Sequence, residues 1–136
     1  MTVCATLNTN AQQSCSFIIH VDGANGTDDA ACGGENSPCA TINHGSDRAQ
    51  TEGYSDVRIA STVTYNEIVE VVDGISLWGG FSAQWAITGV TEIQGGVDSN
   101  NEAYAITATD VNSTTVLSDL EVYAHNASLA GKSSYG

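Results

Sequence analysis

Residues 67–81 read EIVEVVDGISLWGGF and contain two short β-strand patterns on either side of a tight turn. The first half is rich in Val and Ile, and the second half places Ile75, Leu77 and Phe81 at alternate positions, on one face of a strand. Asp73-Gly74 between the halves is a dipeptide typical of turns. This stretch predicts strand, turn and strand with no intervening helix.

Similar short patterns surround this unit. Further strands are predicted at 16–22, 56–60, 91–93, 103–109 and 116–123, with turn-forming Gly-Gly and Asn-Asn pairs among them. The unit at 68–79 recurs loosely at 105–122, a spacing of about 35 to 40 residues that is typical of solenoids. Strands without helices between them exclude a doubly wound α/β fold. An antiparallel sandwich is the alternative, and the spacing favours a coil of parallel strands.

One helix is predicted, at residues 40–52. Ile42, Gly45 and Ala49 fall on one of its faces, and Gly53 is a natural residue to follow its C-terminus. The open end of a solenoid exposes apolar surface and unpaired strand groups. We expect the helix to cover that end.

Three regions follow from these patterns. Residues 1–15 form a Cys-bounded lead-in, residues 16–55 form an N-terminal cap of strand, loop and helix, and residues 56–136 form the coils. The first residues lack the basic and apolar regions of a signal peptide, and the sequence stops without a closing element. We therefore expect a fragment of a longer protein, with the coils truncated at the C-terminus.

The charge of the chain limits the classes of partner that it can bind. The 136 residues include 16 acidic and three basic side chains, for a formal net charge of −13. Phosphate binding needs clustered Lys and Arg, so nucleic acid and anionic membrane surfaces are poor partners, and we expect no nucleic acid binding and no membrane insertion. No apolar run reaches the roughly 18 residues that cross a bilayer. A glycan, a cell-surface protein or end-to-end self-association remains open.

The cysteines lie in the first third of the chain, at Cys4, Cys15, Cys32 and Cys39. Four cysteines allow three connectivities, and proximity along the chain suggests Cys4–Cys15 and Cys32–Cys39. A zinc site is the alternative, disfavoured because the spacings are wide and no CxxC is present. Disulfides indicate an oxidising compartment, so we expect a secreted or cell-surface protein.

Several motifs follow one another in a recognisable order. They are VDGANGTDD at 21–29, SPCATI at 37–42, DVRIA at 56–60, TYNEIVEV at 64–71 and DGISLWGGFSAQW at 73–85. Together they resemble the N-terminal segment of the pectin-lyase-like right-handed β-helix superfamily of bacterial surface and secreted proteins. The resemblance covers residues 17–85. It implies an all-β fold, a right-handed parallel β-helix (solenoid) with one short N-terminal capping α-helix, and it does not fix an activity.

We expect no catalytic residues in the chain. The enzymes of the superfamily that the chain resembles cleave acidic polysaccharides, either with Ca²⁺ and a basic residue or with clustered Asp. A carboxylated sugar needs cationic partners, and this chain offers only Arg48, Arg58 and Lys132, far apart in sequence. His20 and His44 have no Ser or Asp partner at a recognised spacing, and neither has His125, so all three are expected to be structural or surface residues.

Asp22, Asn25, Asp28 and Asp29 form the candidate metal site. Oxygen ligands close together in a Gly-rich loop suit Ca²⁺. The spacing is not that of an EF-hand, and an Asx-turn loop with solvated carboxylates is the favoured interpretation. We therefore expect no cofactor, with Ca²⁺ as the alternative.

The predicted function is a non-catalytic structural or adhesive module of an exported or cell-surface protein. One alternative is the N-terminal part of a polysaccharide lyase or glycoside hydrolase whose catalytic coils lie beyond residue 136. Another is a fibre subunit that self-assembles through open coil ends.

Overall fold

A computed structural model describes residues 17–123 of the chain. The predicted lead-in at 1–15, with Cys4 and Cys15, lies outside the described residues, as do His125 and Lys132. The described elements are, in chain order, β1 (Ile18–Val21), α1 (Ile42–Glu52), β2 (Asp56–Ala60), β3 (Val69–Val71), β4 (Ser76–Phe81), β5 (Thr91–Ile93), β6 (Gly96–Val97), β7 (Ala103–Tyr104), β8 (Ile106–Ala108), β9 (Leu117–Ser118) and β10 (Leu120–Val122).

The largest sheet in residues 17–123 is parallel, with the strand order β1-β2-β4-β9. Its register places Ile19 beside Val57, Val57 beside Leu77, and Leu77 beside Leu117. These four positions share one face of the sheet because side chains alternate along a strand. Ile19, Val57 and Leu77 are buried, whereas Leu117 on the last strand is 43% exposed.

The right-handed parallel β-helix predicted from the sequence is wrong. The strands of residues 17–123 lie in one four-stranded and three two-stranded sheets, and the pair β6–β7 is antiparallel. Pairing does not keep one period, because Leu77 lies twice as far along the chain from its partner Leu117 as from its partner Val57. The loose repeat therefore does not translate into the regular coils predicted for residues 56–136. Short strands in small parallel and antiparallel sheets, with one helix, form this part of the chain.

Most individual elements were predicted well. The strands at 56–60 and 91–93 have the predicted bounds, and the helix ends at Glu52 as predicted. The predicted strand 103–109 is two strands, and 116–123 is divided at Asp119, whose φ is 57°. A non-glycine residue with positive φ interrupts an extended strand, which is why this segment bends.

Helix α1 owes its bounds to both of its ends. The Thr41 side chain accepts a hydrogen bond from the His44 backbone N–H, and Gly53 ends the helix in the left-handed conformation at φ 77°. The face that contains Ile42, Gly45 and Ala49 is buried, as the sequence predicted. A Cβ at Gly45 would lie 2.3 Å from Val21 Cγ2, so glycine permits close packing on β1.

Candidate functional site: an aromatic cleft and a cysteine-containing cluster

Asp22 of the predicted calcium loop is buried, and its carboxylate accepts four hydrogen bonds. Its carboxylate accepts bonds from the backbone N–H groups of Ala24 and Asn25, from the Asn25 side chain and from the Thr62 hydroxyl. Burial alone would raise the pKa of Asp22, and these four donors together hold the pKa below its usual value. The carboxylate thus closes an Asx turn and ties the loop to the segment after β2.

Asp28 and Asp29 are exposed and also bind backbone. Asp28 accepts bonds from the N–H groups of Ala40 and Thr41 and from the Thr41 hydroxyl, and Asp29 accepts one from the Ala31 N–H. Burial tends to raise the pKa of Asp28, but its hydrogen bonds lower the pKa overall, and the nearby His44 adds to this lowering. Hydrogen bonds from backbone N–H groups to Asp side chains are the contacts expected of an Asx-turn loop. Ca²⁺ binding by this loop stays a prediction.

A different set of residues is brought together beside this loop. Ligand atoms of Asp28, Cys32, Cys39 and His44 all lie within 4.8 Å of one another. Cys32 and Cys39 form a disulfide, with their Cα atoms 5.0 Å apart, and this pairing confirms the one suggested by the sequence. The set has a composition that could bind a metal, although the disulfide leaves neither sulfur as a thiolate.

A cleft of about 390 Å³ lies over the outer face of the four-stranded sheet. Its lining residues come from β1, β2 and β4, from the segment after β4 and from the residue after β9: Ile18, Asp56, Arg58, Trp78, Gly79, Phe81, Ile87 and Asp119. The register explains why they meet, since Arg58 pairs with Trp78 and Ile18 pairs with Asp56 in adjacent strands. Four separate segments of the chain therefore build one surface.

The aromatic side chains of the cleft are fixed by polar neighbours. The Trp78 indole Nε1 donates to Asp56 Oδ1 at 2.8 Å, and the Arg58 guanidinium carbon lies 5.2 Å from the centre of the Phe81 ring. Asp119, which also lines the cleft, is exposed. An indole anchored at its polar edge and an arginine held over a ring have little freedom left to lose when a ligand binds.

A neighbouring recess of about 340 Å³ contains His20, Arg48 and Tyr54 among its lining residues. Arg48 donates to the Cys32 carbonyl and to Glu52, and His20 Nδ1 lies 3.0 Å from the Gly33 carbonyl oxygen. Burial lowers the pKa of His20. These contacts fit the structural role expected of His20.

The sequence contained part of the signal for the cleft. Trp78 has the parity opposite to Ile75 and Leu77, which places it on the outer face. Phe81 was predicted to share the inner face with Leu77, and it lines the cleft instead. The register between β2 and β4 shifts between Arg58 and Ala60, and such a bulge turns the following side chain to another direction.

No family model matches the chain, and neither a curated protein nor a solved structure does. The resemblance described from the sequence therefore stays a prediction. Within residues 17–123, no helix is long and apolar enough to cross a membrane.

Proposed function

We propose that this chain is a non-catalytic adhesive module of an exported or cell-surface protein, and that its cleft binds a neutral glycan. The observation that supports the proposal most directly is the pairing of Trp78 with Asp56 in the cleft lining, where the indole Nε1 donates to the carboxylate at 2.8 Å. This bond holds a half-buried aromatic ring in place inside a concave surface.

The cleft combines the two kinds of group that a sugar needs. The C–H face of a pyranose ring packs on an aromatic face, and the half-buried Trp78 supplies such a face. Sugar hydroxyls need orienting hydrogen bonds, and Asp56, Arg58 and Asp119 supply acceptors and donors around them. Apolar lining with a few convergent polar groups is typical of small-ligand sites.

Charge favours a neutral sugar over a uronate. Arg58 is the one cationic residue lining the cleft, and Asp56 and Asp119 line it too. A chain with a formal net charge of −13 repels polyanions over a range of several ångströms at physiological salt. An uncharged hexose polymer carries no such penalty.

The surroundings of Asp56 and Asp119 suit sugar binding better than they suit catalysis. Asp56 accepts a bond from Trp78, and Asp119 accepts one from the Ser118 hydroxyl while it stays exposed to solvent. A general acid for glycoside cleavage normally lies in a buried, apolar pocket. An exported location is supported by the disulfide, because such bonds persist in oxidising compartments.

The two tryptophans of the chain allow a direct test. In Trp85→Phe, Trp78 is the single indole, so its fluorescence should change saturably as a neutral hexose oligosaccharide is added. In Trp78→Phe the remaining indole is Trp85, which does not line the cleft and packs against His20 and Phe81 with ring centres 4.5 and 6.5 Å apart. Its emission should respond much less than that of Trp78.

Calorimetry completes the test. Trp78→Ala should weaken binding about tenfold, the scale of one aromatic packing interaction. Binding of oligogalacturonate in preference to the neutral sugar would contradict the charge argument. Shortening of the oligosaccharide during incubation would contradict a non-catalytic role.

A further inference from the structure

Four potential metal ligands converge at the N-terminus of α1. They are a carboxylate oxygen of Asp28, the sulfurs of Cys32 and Cys39, and a ring nitrogen of His44, all within 4.8 Å of one another. Two sulfurs, one imidazole nitrogen and one carboxylate oxygen form a donor set that Zn²⁺ accepts in tetrahedral sites. The ligands come from the loop after β1 and from α1 itself.

Each cysteine is held by backbone contacts as well as by the disulfide. Cys39 forms a parallel β-bridge with Val21. The Cys39 N–H donates to the His20 carbonyl, and the Cys39 carbonyl accepts a hydrogen bond from the Asp22 N–H. The Cys32 carbonyl accepts the Arg48 side chain at 2.9 Å. Opening the S–S bond therefore leaves both sulfurs close together.

The other two ligands are fixed independently of the sulfurs. Asp28 Oδ1 accepts hydrogen bonds from the Ala40 and Thr41 N–H groups, and Oδ2 accepts one from the Thr41 hydroxyl. His44 stands on α1, where its Nε2 lies 2.8 Å from the Asp29 carbonyl oxygen. A histidine that donates one ring N–H to a backbone carbonyl presents the other nitrogen as a metal ligand, which is the usual arrangement around zinc.

We propose that Asp28, Cys32, Cys39 and His44 form a zinc site that opens when the Cys32–Cys39 disulfide is reduced. A dithiol gives two electrons and two protons to the S–S bond and becomes a disulfide itself, which leaves two thiols on the protein. One Zn²⁺ then replaces the two thiol protons, which go to solvent, and binds two thiolates, the imidazole and the carboxylate. The loop is thus cross-linked by a disulfide under oxidising conditions and by zinc under reducing ones.

The test uses the 136-residue chain with Cys4→Ser and Cys15→Ser, so that the thiols come from Cys32 and Cys39 alone. Co²⁺ is added before and after reduction with a phosphine. The reduced protein should develop the intense visible absorption of tetrahedral cobalt thiolate, and one equivalent of Zn²⁺ should abolish it. The oxidised protein should develop none.

Variants distinguish a built site from two free thiols. Asp28→Asn and His44→Ala should each weaken Co²⁺ binding by about tenfold or more, since even outer-shell changes have effects of that size. Glu35→Gln, an exposed acidic residue of the same loop that is outside the ligand set, should bind as the parent does. Equal affinity in all three variants would overturn the proposal. If reduction abolished the near-ultraviolet circular dichroism and the reduced protein bound no metal, the proposal would also be overturned.

Discussion

Asn43 of α1 is hydrogen-bonded to Glu67, which lies just before β3, and this contact connects the helix to the strand. The Asn43 backbone N–H donates to Glu67 Oε1 at 3.0 Å, and the other carboxylate oxygen accepts the Ile42 N–H at 2.9 Å. The Asn43 side chain in turn donates to the Ile68 carbonyl and accepts the Glu70 N–H. Burial raises the pKa of Glu67, while the two backbone donors oppose that shift. A distant carboxylate thus satisfies the first free N–H groups of the helix.

Removing this carboxylate should loosen the helix. In Glu67→Ala the N–H groups of Ile42 and Asn43 lose their acceptor, and we expect a loss of about 0.5–2 kcal/mol in the free energy of unfolding, the range for helix caps. Urea denaturation measures it. Glu70→Ala, on β3 just after Glu67, is the control, because Glu70 is exposed and Asn43 binds its backbone rather than its carboxylate. Equal losses in the two variants would rule out the capping role.

The elements that could be predicted depend on neighbours along the chain. Alternation at 56–60, helical spacing at 40–52 and glycine at position 53 are each visible within a few residues, and the structure confirms them. Pairing depends on distant contacts, so no local pattern indicates that Leu77 pairs with two partners at unequal separations along the chain. A loose repeat was therefore mistaken for a regular coil.

The same distinction applies to the sites. The Cys32–Cys39 disulfide was predicted because its half-cystines are close in sequence. The proximity of His44 to Asp28 could not be predicted, since it arises only when Asp28 binds the backbone at Thr41 and places α1 beside the loop. Likewise the parity of Trp78 was visible, whereas the bulge that redirects Phe81 was not.

Thr91 links two strands from inside the core. It is fully buried, and its hydroxyl donates to the Ile59 carbonyl at 2.9 Å and accepts the Gly80 N–H at 2.8 Å. Thr91→Val keeps the shape but leaves both backbone groups without this partner, so we expect a loss of about 1–3 kcal/mol. Thermal or urea unfolding measures it. Thr64→Val, at an exposed threonine, should change stability by no more than about 0.5 kcal/mol.

Gly80 has a conformation and surroundings that exclude a side chain. Its φ is 84°, and a Cβ there would lie 2.2 Å from the Gly89 carbonyl oxygen. Gly80→Ala should cost about 1–3 kcal/mol or more, because strain at positive φ adds to a backbone clash. Gly89→Ala is the matched control, since a Cβ at Gly89 meets nothing within 4 Å. Similar unfolding midpoints for the two variants would contradict the structure at this turn.

Reducing the disulfide should destabilise the chain without unfolding it in the absence of denaturant. The Cys32–Cys39 bond spans a sequence separation of 7. A loop of that size is worth about 2–3 kcal/mol through the entropy of the unfolded chain. With Cys4 and Cys15 replaced by Ser, the urea midpoint should fall by roughly 1 M on reduction. An unchanged midpoint would show that the loop is ordered by its hydrogen bonds alone.

Acid should remove the contribution of Asp22 to stability. Its pKa in the folded protein is lowered from 3.8, so the ionised carboxylate stabilises the fold above that pH, and this stabilisation is lost as the pH falls through the lower, folded-state pKa. Asp22→Asn should be less stable at neutral pH by about 1–3 kcal/mol, because an amide cannot replace every acceptor of a buried carboxylate. Its stability should also decline less steeply below pH 3.8 than that of the parent. Urea denaturation across a pH series measures both effects, with Asp47→Asn at an exposed position of α1 as the control. Equal slopes for Asp22→Asn and the parent in acid would show that the Asp22 hydrogen bonds do not depend on its charge.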